Sequence, residues 1–209
     1  MGHVTLHSIN RSEAIFCITN PSMRIIDSVV GPFLWSNGFL NAEKLAILPL
    51  EHLKTLAHQA GNPHQTRLQI ILIHMTGRCG STLLCQTLEK IPNTQVMSEP
   101  LSLSFPGMMY QRGEISYAEY KDILCSVFCV MCRQEDSLDR VVIKLHMNAT
   151  PSIAILKQFC PSIQLVFNTR HIKQTILSWN KLMKTFSPSA KQWHPLLVMF
   201  RKLLAIILL

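Results

Sequence analysis

The stretch RLQIILIHMTGRCGSTLL, residues 67 to 84, constrains this chain more than any other. Its first half, RLQIILIHM, is a short apolar run rich in β-branched residues, the pattern of a strand buried on both faces. Gly77 and Gly80 follow at once. Glycine enters positive φ at little steric cost, so the backbone can turn tightly there and approach a ligand closely. Leu83, Leu84, Thr87, Leu88 and Ile91 then share one helical stripe. A strand, a glycine turn and a helix in that order aim the N–H groups from about Cys79 to Leu83 at one spot. That is an anion site, and Arg78 adds a full positive charge. The bland alternative is a glycine turn that merely opens a helix.

The rest of the chain repeats the strand–helix alternation. TQVMSE and RVVIKLH read as strands, as does IQLVFNTR. YAEYKDILCSVFCVMCRQ, PSIAILKQF and the segment from Ile172 to Phe186 read as helices. Such alternation indicates an α/β fold, a three-layer parallel sheet flanked by helices. Residues 101 to 116 show no regular pattern. In residues 1 to 66 the signals are mixed, and NAEKLAILPLEHLKTLAHQAG is expected to be helical, capped by Asn41, kinked by Pro49 and stopped by Gly61. The expected organisation is an N-terminal extension, 1–66, packing on a nucleotide-binding core, 67–209.

At 209 residues the chain is long enough for one domain with a real core. Apolar residues make up 48 % and charged residues 15 %, which excludes a disordered chain. The net charge of +8 suits an anionic partner. No run of Lys and Arg with interleaved aromatics speaks for nucleic acid. The seven cysteines are scattered and odd in number, as expected for reduced thiols. The N-terminus lacks the apolar core of a secretory signal, and the tail LLAIILL is too short to span a bilayer. A cytoplasmic protein with no membrane association is expected.

In open parallel sheets, ligands bind at the carboxyl ends of the strands. After the first strand stands the glycine loop. It departs from G-x-x-x-x-G-K-[ST], because Ser81, not Lys, follows Gly80. After the second stands Glu99, a base if it faces the loop, or a salt-bridge partner of Arg78. After VVI stand Lys144 and His146, which strand alternation would put on one side. A His can take a proton from a hydroxyl, and a Lys can stabilise charge on a departing oxygen. The alternative is that both are solvent-facing ends of the strand. After the last strand comes Arg170, with Ser178 eight residues on, a pair suited to a phosphate. No strand ends in a clear Mg²⁺-holding Asp, so nucleoside triphosphate hydrolysis lacks its usual parts.

Taken in order, these pieces resemble the sulfotransferase family. RCGSTLL resembles its 5′-phosphosulfate loop, IKLH its K-x-H element, and RHIKQTILS its R-x8-S element; the likeness covers residues 67 to 186. The resemblance implies a P-loop nucleotide-binding fold and 3′-phosphoadenosine 5′-phosphosulfate as donor, with no metal. It implies that Arg78, Cys79, Gly80, Ser81 and Thr82 bind the phosphosulfate, and that Arg170 and Ser178 bind the 3′-phosphate. Arg78, Lys144, His146 and Glu99 would be catalytic, with His146 and Glu99 rival bases. The acceptor would be a small molecule or carbohydrate offering a hydroxyl or amine. Cytosolic members usually have Lys where Arg78 stands, and Cys79 replaces a common Ser. A thiol at that place is expected to be sensitive to oxidants. The family's K-x-G-x-x-G segment is missing, so the resemblance leads one to expect a C-terminally truncated form.

Two other readings compete with that one. A P-loop nucleoside kinase or NTPase would need Mg²⁺, and a non-catalytic form would bind nucleotide without turning it over. Cys125, Cys129 and Cys132 have the C-x3-C-x2-C spacing of iron–sulfur ligands, but they also fall along a predicted helix, where buried thiols are ordinary.

Overall fold

The structure is a computed structural model that describes residues 3–20, 41–133 and 137–185. Its contacts divide the chain into two units, Met1–Thr169 and Arg170–Leu209. The first unit holds two sheets. Strands β4 (Gln69–Met75), β5 (Thr94–Ser98), β6 (Arg140–Lys144) and β7 (Gln164–Asn168) form a parallel sheet in the order β5-β6-β4-β7. Strands β1 (His3–Ile9), β2 (Glu13–Thr19) and β3 (Lys44–Pro49) form an antiparallel sheet in chain order.

The helices of the first unit are α1 (Leu50–Ala60), α2 (Ser81–Leu88), α3 (Phe105–Gln111), α4 (Tyr117–Met131) and α5 (Ser152–Phe159). Side chains alternate along a strand, so the parallel sheet has two apolar faces to cover. Ile71, Ile73, Val96 and Val142 point one way and pack with Leu84, Cys85 and Leu88 of α2. Ile70, Leu72, Val141 and Ile143 point the other way, into a larger cluster. That cluster also holds Leu124, Val127 and Phe128 of α4, Leu156 of α5, and Leu6 and Phe16 of the small sheet. Helices on opposite faces are what right-handed crossovers require here. The β4-to-β5 connection runs one way across the sheet, and the β5-to-β6 and β6-to-β7 connections run back.

The core thus matches the expected mixed α/β architecture, a parallel sheet flanked by helices, and three sequence expectations change. The helix expected over residues 41 to 61 is only α1. Its first part, Lys44–Pro49, is instead an edge strand paired antiparallel with β2. Cross-strand pairing overrides a helical pattern, and an edge strand tolerates the N–H that Pro49 lacks. Residues 101 to 116 contain a 3-10 turn, Leu101–Leu103, and α3. In the mixed N-terminal stretch, β1 and β2 form a hairpin whose turn is closed by Asn10. Its Oδ1 accepts the N–H groups of Ser12 and Glu13, both at 2.8 Å.

In the second unit, α6 (Ile172–Thr185) is the last helix expected from the sequence. The tail LLAIILL lies outside the described residues. Among the described residues, no helix is long and apolar enough to cross a membrane.

Candidate functional site

The connections leaving β4 and β6 run in opposite directions across the sheet. Their carboxyl ends therefore flank a topological switch point, where open α/β sheets form their ligand crevice. The glycine loop follows β4. Gly77, Arg78 and Gly80 all adopt positive φ, at 72°, 52° and 87°. For Arg78 this is a strained conformation, of a kind that concentrates at functional sites. Gly80 is the N-cap of α2 and gives no side-chain hydrogen bond to it. A helix start leaves its first N–H groups without intrahelical partners, so those of Ser81 and Thr82 face outward for an anion. Ser81 itself is buried, and its hydroxyl donates to the Met75 sulfur at 2.8 Å, pinning the helix start to the strand end. Any role of Ser81 toward a ligand therefore falls to its backbone.

Beneath this helix start lies a buried charge pair. Ile73, Lys144 and Ser98 occupy one row across β4, β6 and β5, on the α2 side of the sheet. Lys144 is 1 % exposed. Its Nζ lies 2.6 Å from Glu99 Oε1 and donates to Thr82 Oγ1 at 3.3 Å and Ser98 Oγ at 3.4 Å. A buried ammonium is tolerable only when paired and hydrogen-bonded, and this one is both. The Glu99 N–H donates to the Lys144 carbonyl at 2.8 Å, and Glu99 takes a positive φ of 53°. The carboxylate is thus locked to Lys144 through both backbone and side chain. The Glu99 side chain is 11 % exposed. Cys85 lies on the same buried face; burial pushes its thiol up to about 11, against a smaller downward pull from Lys144.

Several sequence expectations are refined here. Lys144 is not a solvent-facing strand end. Glu99 pairs with Lys144 rather than with Arg78. Strand β6 ends at Lys144, so strand alternation does not extend to His146. His146 caps the 3-10 turn Met147–Ala149, where its Nδ1 accepts the Asn148 N–H at 3.2 Å. Cys79 is half-buried in the loop. Arg170 and Ser178 belong to the second unit, where Arg170 Nε donates to Gln174 Oε1 at 3.0 Å and Ser178 lies on α6. Ser98 was missed; its shared strand parity with Lys144 becomes visible only once β5 and β6 are known to be neighbours. Cys125 and Cys129 lie on α4 and Cys132 at its C-cap, not in a loop. Burial pushes the first two up to about 11.

Comparison with protein-family models, with curated proteins and with solved structures finds no match to this chain.

Proposed function

We propose that the chain is a sulfotransferase-like enzyme of the P-loop class that uses 3′-phosphoadenosine 5′-phosphosulfate as donor. The observation that carries this reading is the Lys144–Glu99 pair held under an uncapped helix start at the switch point. It supplies an anion cradle and a proton acceptor side by side, without needing the Lys of an ATP-binding loop. The uncapped N–H groups, the glycines and Arg78 fit a phosphosulfate.

Bound there, the donor supplies a sulfuryl group: the acceptor oxygen or nitrogen forms a bond to sulfur as the bond from sulfur to the bridging oxygen breaks. The backbone from Cys79 to Thr82 holds the 5′ end, and Arg78 offsets charge growing on the bridging oxygen. Lys144, linked to Thr82, keeps positive charge beneath the same spot. Glu99 or His146 takes the acceptor's proton. Arg170 and Ser178 bind the 3′-phosphate.

Thermal shift tests donor binding. Stabilisation by adenosine 3′,5′-diphosphate without Mg²⁺, lost in Arg170→Ala, supports the reading. Stabilisation by Mg·ATP alone points instead to a kinase or NTPase. Transfer of ³⁵S-labelled sulfate to a hydroxyl or amine acceptor then separates an enzyme from a non-catalytic nucleotide binder.

A further inference from the structure

The parallel sheet ends at β7 in an open edge, and we propose that this edge is a self-association surface. A second copy of the chain pairs its own β7 there, antiparallel, about a two-fold axis through Val166.

Edge strands invite pairing, and proteins guard them with charge, Pro, bulges or cover. Among the described residues, the other edges carry such guards. β3 has Lys44 and Pro49 at its ends, and the register of β1 breaks between Leu6 and Ser8. In β5, Val96, Met97 and Ser98 are buried. β7 has no charged residue, no Pro and an unbroken register with β4. Its apolar side chains stand open on both faces: Leu165 is 48 % exposed, Val166 40 % and Phe167 62 %. A parallel strand of that composition is normally covered on both faces.

The backbone fixes which groups face outward. The Thr76 N–H donates to the Asn168 carbonyl at 3.3 Å, so Asn168 turns its main chain toward β4. Main-chain direction alternates along a strand. Gln164 and Val166 therefore also bond toward β4, while the N–H and C=O groups of Leu165 and Phe167 point away from it.

The sequence Gln-Leu-Val-Phe-Asn reads alike in both directions, with an amide at each end and apolar residues between. Two copies related by an axis through Val166 match along the whole strand. Leu165 of one copy meets Phe167 of the other, and the two exchange both main-chain bonds. Val166 meets Val166, and the Gln164 amide meets that of Asn168. Axes through Leu165 or Phe167 would also match the hydrogen-bonding groups, but they set an amide against Val166. The His74 ring stacks on Phe167, with centroids 5.0 Å apart, and holds it in place for the contact. This self-complementarity favours a second copy over an unrelated peptide, and two-fold dimers are the commonest assembly of like chains. Pairing uses up the open edge, so growth stops at the dimer. Few side chains are covered, which puts the contact at the small, reversible end of interfaces. None of this depends on the sulfotransferase reading.

Sedimentation velocity of the full chain across a concentration series reads the assembly. A reversible shift from monomer to dimer mass is expected. Amide exchange followed by NMR, in dilute and concentrated protein, reads the register. The Leu165 and Phe167 amides should slow by about tenfold on concentration, while that of Val166, already bonded to β4, changes little. Val166→Lys sets two ammonium groups together on the axis and should abolish the dimer. Leu165→Pro removes an outward N–H without touching the β4 ladder and should do the same. Circular dichroism checks that each variant folds; where one does not, exchange in the unaltered chain decides. A monomer at every concentration overturns the proposal. So does a dimer that survives either folded variant, or one whose Leu165 and Phe167 amides exchange as they do in the monomer. Equal protection of those amides in dilute monomer also overturns it, because the chain then covers its own edge.

Discussion

Replacing Lys144 by Met tests the buried pair. The substitution keeps much of the side-chain length and removes the ammonium. The 2.6 Å pairing with Glu99 and the bonds to Thr82 and Ser98 go with it. Removing one member of a buried ion pair costs about 3–5 kcal/mol, because the remaining charge is left uncompensated. Glu99 is 11 % exposed and can recover some hydration, so the expected loss is at the low end, about 3 kcal/mol. The double variant Lys144→Met, Glu99→Gln removes the orphan charge as well. It is expected to be more stable than Lys144→Met alone by about 1–2 kcal/mol, although it has lost more native groups. Urea unfolding followed by circular dichroism gives each value by linear extrapolation. A deficit under about 1 kcal/mol, with the double variant no better than the single, would refute the idea of a buried coupled pair.

Four further outcomes are expected. Arg78 has a φ of 52°, so Arg78→Gly should be more stable than Arg78→Ala by about 1 kcal/mol in the same unfolding assay, while both weaken binding of adenosine 3′,5′-diphosphate measured by calorimetry. Burial pushes the thiols of Cys85, Cys125 and Cys129 up to about 11, so near neutral pH iodoacetamide should modify Cys79 ahead of all three, with Cys125 gaining reactivity as pH climbs; peptide mass spectrometry reads the order. Ser116→Ala should cost about 1 kcal/mol by opening the capping box at the start of α4. In that box the Ser116 N–H holds the Glu119 carboxyl below its usual value. Glu119 therefore stabilises the fold above the ordinary carboxylate pKa, and the advantage over Glu119→Ala should vanish as pH falls through the lowered value, read by thermal unfolding across a pH series.

The parallel core was legible because its signals are local. The β-branched run in β4 and the glycines after it mark strand and loop by themselves. The small sheet was not legible. Lys44 to Pro49 carries a helical pattern, and only pairing with β2 makes it a strand. The site divides in the same way. Arg78, Glu99, Lys144 and His146 all stand at or just beyond strand ends, where sequence reading looks for chemistry. Their partners could not be read, because strand order is not written in any one segment.

The sequence alone therefore determined that a strand leads through a glycine turn into a helix, with charged residues at the ends of the strands that follow. Only the tertiary structure decided what those charges do. The order β5-β6-β4-β7 sets β6 between β5 and β4, which brings Lys144 to Glu99 and under Thr82. It also ends β6 before His146, whose ring then answers to the Asn148 N–H. Residue identity fixes which groups can carry charge; the neighbours that chain folding supplies fix whether a charge is paired and which donors and acceptors it meets.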